Sequence, residues 1–149
     1  MKTQLNEGSK IRLAISILAG VGFVDSLYLT WIKLTHNQAL CIQGIGNCWT
    51  VNNSKYADWN GVPIALIGAL GYGLILIFSI LESKVNFFEN NSKITIFGLG
   101  LIGFMFSAYL TIIEFAVLHA FCPFCGLSAL VMLALFILST IRLFKNQPI

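Results

Sequence analysis

The stretch Ile94–Phe144, ITIFGLGLIGFMFSAYLTIIEFAVLHAFCPFCGLSALVMLALFILSTIRLF, contains Glu114 and Arg142 as its only Asp, Glu, Lys or Arg residues. A bilayer core of about 30 Å is crossed by roughly 20 helical residues, so a single helix of this length would overshoot it. The stretch therefore reads as two spans, Ile94–Phe121 and Cys122–Phe144, parted by a tight turn near His119–Cys122. Working outward, two further apolar runs have spanning length, Ile11–Leu34 and Gly61–Leu81. None alternates apolar and polar residues as a barrel strand does. The composition agrees: 57% of residues are hydrophobic and 10% charged, against roughly 25% charged in soluble domains. The expected fold is an all-α integral membrane protein, a four-transmembrane-helix bundle forming one domain over residues 1–149, with a loop at 35–60. A cleaved signal peptide would explain Lys2, Lys10 and Arg12 ahead of the first run, but apolar character continues past Asp25 through Leu27–Leu34, longer than a signal core.

Basic residues orient the spans. Lys2, Lys10, Arg12, Lys84, Lys93, Arg142 and Lys145 flank one side, and Lys33 and Lys55 the other. Both termini are thus expected in the cytoplasm, and the first loop and the Cys122 turn in the periplasm or an equivalent compartment. The net charge of +3 follows from this asymmetry. No clustered basic face suggests nucleic acid as a partner. All four cysteines, Cys41, Cys48, Cys122 and Cys125, then fall on the extracytoplasmic side, where oxidised thiols persist.

Cys122-Pro123-Phe124-Cys125 is a C-x-x-C motif at the start of a span. Unpaired N–H groups and the helix dipole favour a thiolate there, the species that attacks disulfides. Pro123 suits a first helical turn. Two structural disulfides are the plainer alternative, although so short a loop gains little from closure. A zinc site is another, although Cys41 and Cys48 are widely spaced for it. A redox relay accounts for both pairs: one on a mobile loop with Gly44 and Gly46 to meet a soluble protein, the other at the membrane edge to meet a lipid-soluble carrier. A two-electron acceptor living in the bilayer is most simply a quinone.

Cys41-x6-Cys48-x2-Val51-x2-Ser54, Gly61-Val62-Pro63, Gly68-x3-Tyr72 and Cys122-x-x-Cys125 occur here in that order. With Val24-Asp25-Ser26-Leu27-Tyr28 and Ser107-Ala108-Tyr109-Leu110, they resemble the vitamin K epoxide reductase family over nearly the whole chain. The resemblance implies a four-helix bundle around a quinone pocket, capped by a loop with a short amphipathic helix within Trp49–Trp59. It implies that Cys41 exchanges with a thioredoxin-fold partner, Cys48 passes electrons to Cys122, and Cys125 stands beside the quinone. That acceptor would be ubiquinone, menaquinone or phylloquinone, with no metal. Ser54 would face the quinone or orient the loop. The chain carries no thioredoxin segment, so a separate exported, DsbA-like protein is the expected partner. Animal members carry a tyrosine where this chain has Ala129 and an asparagine where it has Ile64, which points away from epoxide reduction. The DsbB-type quinone-linked oxidases place their C-x-x-C in the first loop, the reverse of the order here.

Asp25 and Glu114 are ionisable residues inside spans, where function is the first suspicion; a hydrogen-bonded carboxyl joining helices is the plainer reading. Glu114 and His119 are candidates for a proton relay, although an interfacial histidine is commonly just solvated. Phe121 and Phe124 would wall a quinone ring or fill the bundle core. A non-enzymatic scaffold or a small transporter subunit completes the alternatives, and few polar residues line a path for the latter.

Overall fold

The computed structural model describes residues 2–37, 44, 46–84 and 89–145. Cys41 therefore lies outside the described residues. The elements are α1 (Lys2–Thr35), α2 (Cys48–Asn52), strands β1 (Asp58–Trp59) and β2 (Val62–Pro63), α3 (Ile64–Lys84), α4 (Glu89–Ile113), a π-helical turn (Glu114–Leu118) and α5 (Pro123–Lys145). The four long helices are apolar and long enough to cross a membrane. Helix α1 packs on α3 and α5, and α4 packs on α5 and α3. The bundle is a closed ring of four.

Its core is formed by Ile15, Ala19, Tyr72, Ile75, Ile96, Val131, Met132 and Leu135. Small residues let the helices approach closely. A Cβ on Gly22 would stand 2.4 Å from the Tyr72 ring, and one on Gly103 would stand 2.6 Å from Met132. Leu13, Val24, Leu70, Ile102, Met105 and Leu130 are all more than 60% exposed. Such faces suit lipid rather than water. Near the end remote from the cysteines, Arg142 and Glu82 form a buried ion pair joining α5 to α3.

Several boundaries differ from the sequence reading: α4 begins at Glu89, not Ile94, and α3 runs on to Lys84, past Leu81. Helix α1 begins at Lys2, not Ile11. Helix α3 begins at Ile64, not Gly61, because Asn60 and Gly61, both at positive φ, turn a small antiparallel hairpin that pairs Asp58 with Pro63 and Trp59 with Val62. In the third span, regular α-helix stops at Ile113 and widens into the π turn, which ends at His119 in the left-handed region (φ 47). The separation at His119–Cys122 falls where the sequence placed it, and Pro123 opens α5.

A latch fixes the cap onto α1. The Lys33 ammonium donates to the Asn52 carbonyl at 2.9 Å, and it pairs with the Asp58 carboxylate at 2.7 Å. Asn52 returns its amide to the Leu29 carbonyl at 3.0 Å.

Candidate functional site: a thiol cluster against an apolar cavity

Two separate segments bring the cysteines together. From the cap, the Asn47 N–H donates to the Phe121 carbonyl at 2.8 Å, which docks the start of α2 onto the turn before α5. Gly46 lies beside that bond at φ +82, and a Cβ there would be 2.2 Å from the Phe121 oxygen. Cys48 follows as the first residue of α2 and is 2% exposed, while Cys122 is fully buried. They share one apolar cluster with Leu29, Ile32, Val51 and Ala120, against which Phe124 and Cys125 pack.

At the start of α5, the Cys125 N–H points at the Cys122 sulfur at 3.4 Å. The Cys122 sulfur, the Cys125 sulfur and a Glu114 carboxyl oxygen lie within 4.8 Å of one another. The Cys122 thiol is held well below the usual thiol range. The Cys125 thiol hydrogen bond is the largest cause, followed by the Cys48 thiol, with the N–H groups of Cys125 and Phe124 adding to it; burial opposes them. Donors converging on one sulfur at a helix start make a thiolate.

Cys125 also forms part of the wall of a cavity of about 340 Å³, a volume typical of small-molecule pockets. The wall is mainly apolar, with polar points at Ser26, Asn52, Ser54, Glu114, Cys125 and Ser128. Tyr72 lines it too, its hydroxyl bonded to the Ser128 carbonyl at 2.8 Å. Ile64 and Ala129 also line this space.

The other candidates divide. Ser54 lines the cavity while its hydroxyl donates to the Val51 carbonyl at 2.8 Å, holding the end of α2. Glu114 lines the cavity and is 4% exposed. The His119 side chain is exposed and outside the lining. Phe121 and Phe124 also stand outside the lining: Phe121 stacks on Phe115 at 5.9 Å, and Phe124 meets Tyr28 at 5.1 Å. Aromatic wall comes instead from Tyr56, Trp59, Tyr72 and Phe106. The sequence does not mark Asn52 or Ser128, and it uses Lys33 only to orient the spans, because their contacts depend on backbone carbonyls brought close by the fold.

A closed four-helix bundle, with a C-x-x-C pair on a cavity wall and a third cysteine packed against it, defines a multi-pass membrane protein organised around buried thiols. The chain belongs to the vitamin K epoxide reductase family, whose profile it matches over residues 13–140. It is also 35% identical over 121 residues to the thiol-disulfide oxidoreductase LTO1 of Arabidopsis thaliana, an overlap of 78% of this chain and 32% of that protein. The chain thus spans about a third of that relative's length.

Proposed function

We propose that the protein is a membrane thiol–disulfide oxidoreductase with a quinone as electron acceptor. It oxidises an exported thioredoxin-fold protein of the DsbA-like kind, and so supports disulfide formation outside the cytoplasm. The observation that carries this reading is the junction at Cys122. One neighbour, Cys48, belongs to the cap, and the other, Cys125, belongs to the wall of an apolar cavity.

The roles follow in order. Cys41 and Cys48 receive two electrons from the partner's dithiol and present them at the cap. The Cys48 thiolate attacks Cys122 and displaces Cys125; Cys41 then closes on Cys48 and frees Cys122 as a thiolate. The low thiol pKa of Cys122 makes it a good leaving group in that second exchange. The cavity fits a quinone head group, because its wall is apolar and carries a few polar points beside Cys125. Ser54 and Asn52 would border that group, while Tyr72 and Phe106 would wall it. The quinone supplies one thing, a sink for two electrons and two protons. Excess Lys and Arg at the opposite ends of the helices support an extracytoplasmic position for the thiols.

Ile64 and Ala129 place alkyl groups on the cavity wall, which favours quinone over epoxide as the substrate. A zinc site has the proximity of Glu114, Cys122 and Cys125 on its side, and a scaffold has the buried sulfurs. Neither uses a cavity whose wall includes one of the thiols. In lipid nanodiscs, the purified chain with a reduced thioredoxin-fold dithiol protein should bleach ubiquinone or menaquinone absorbance, and Cys125→Ala should abolish the change. Undiminished reduction in Cys125→Ala sinks the mechanism.

A further inference from the structure

Forming a hydroquinone takes two electrons and two protons. A reduced pair made of a Cys122 thiolate and a Cys125 thiol holds both electrons but one proton. The second proton needs a seat in the same cluster.

Glu114 is placed to be that seat. Its carboxyl is within 4.8 Å of both sulfurs, it lines the cavity, and its Oε1 is buried with no hydrogen-bond partner among the described residues. It is also the first residue of the π turn, and π-bulges frequently accompany functional sites. The Glu114 carbonyl accepts the Ala120 N–H at 3.2 Å, so the turn that aims its side chain also fixes the approach to Cys122. Asp25 has a buried unpartnered oxygen as well, but it is outside the cavity lining.

We propose that Glu114 stores the second proton, ionised while Cys122 and Cys125 form a disulfide and protonated while Cys122 is a thiolate. This rests on the quinone-reductase reading above. Two anions this close in apolar surroundings repel strongly, so one proton settles on the carboxyl when the thiolate forms. The step balances. When the cap dithiol becomes a disulfide, its two electrons reduce the Cys122–Cys125 bond, and its two protons end on the Cys125 sulfur and on Glu114. When the Cys122–Cys125 bond re-forms, two electrons leave with those same two protons, and Glu114 returns to carboxylate.

The test counts protons in the absence of quinone. In a chain carrying Cys41→Ser and Cys48→Ser, the Cys122–Cys125 disulfide is titrated against dithiothreitol, with alkylation and mass shift as readout. The titratable groups around Glu114 are Cys122 and Cys125 at the start of α5, with Asp25 on α1 and Tyr72 on α3 beyond them, the latter committed to Ser128. Between about pH 6 and 8, below the ordinary thiol pKa, the pair's potential should fall by roughly 59 mV per pH unit with Glu114 present. Dithiothreitol also gives up two protons and keeps step, so the measured equilibrium stays level. In Glu114→Gln the pair takes up one proton, so its potential should fall by only roughly 30 mV per pH unit. Its equilibrium against dithiothreitol should then shift about tenfold per pH unit, toward the reduced pair as pH rises. A second readout needs no variant at this position: reducing the pair should raise a protonated-carboxyl infrared band. Equal slopes in the two chains, or no such band, overturn the proposal. Because no quinone is present, either failure is separable from a failure of quinone reduction itself.

Discussion

Gly46 is the point where the cap meets α5, and replacing it with alanine should uncouple the two thiol pairs. Its φ of +82 lies in the left-handed region, and an added Cβ would stand 2.2 Å from the Phe121 carbonyl oxygen. The backbone conformation alone costs about 1 kcal/mol for a non-glycine residue. The neighbour is a main-chain oxygen, so no side chain can turn aside. The loop must move, and the Asn47–Phe121 hydrogen bond at 2.8 Å is lost, a further 1 to 2 kcal/mol or so. Docking of Cys48 beside Cys122 should weaken by about 2 to 3 kcal/mol, a factor of roughly 30 to 150. Gly44 supplies the control: its φ is +97, but a Cβ there meets nothing within 4 Å. Gly44→Ala should therefore show the backbone term alone, about fivefold. The assay uses a chain with Cys41→Ala and Cys125→Ala, in which Cys48 and Cys122 remain, and follows their joining under mild oxidant by alkylation and gel shift. Equal rates for the two alanine variants would refute the role given to the Phe121 contact.

Other consequences are as direct. Lys33→Met removes the latch to Asn52 and Asp58; since Asp58 is 41% exposed, the expected cost is about 2 kcal/mol rather than the sum of its bonds, read as faster proteolysis of the cap. Arg142→Met should destabilise the bundle by about 3–5 kcal/mol by stranding buried Glu82, while Glu82→Met with Arg142→Met should recover most of the loss; denaturant midpoints decide between them. Because the Cys122 thiol pKa is lowered, the stabilisation of the reduced chain is full above the ordinary thiol value of about 8.5 and fades as pH falls toward the lowered value. Thiolate absorbance of the reduced chain, less that of Cys122→Ser, should hold its plateau down through neutral pH. A half-loss near pH 8.5 contradicts it.

The sequence exposed what lipid and helix ends impose. Apolar run length gave the four helices, and Pro123 marked the start of α5 because a missing N–H is harmless only there. Glu114 stood out because ionisable groups within a span are rare. What stayed hidden depends on through-space approach. No local pattern announces that Lys33 reaches the Asn52 carbonyl or that the Gly46 backbone lies against Phe121. The phenylalanines show the same limit from the other side: proximity to the cysteines in sequence suggested a cavity wall, yet the helix start turns Phe124 toward Tyr28. The π turn likewise follows from how the third span is stopped at His119, which no periodicity reveals.

The central claim is that electrons must pass through Cys122 to leave the cap. A single-turnover experiment addresses it: chain reduced at Cys41 and Cys48 by the dithiol partner, one equivalent of quinone in nanodiscs, and absorbance followed in wild type and Cys122→Ala. Wild type should reduce the quinone, and Cys122→Ala should leave it oxidised although Cys125 still lines the cavity. Quinone reduction at the wild-type rate in Cys122→Ala would contradict the account.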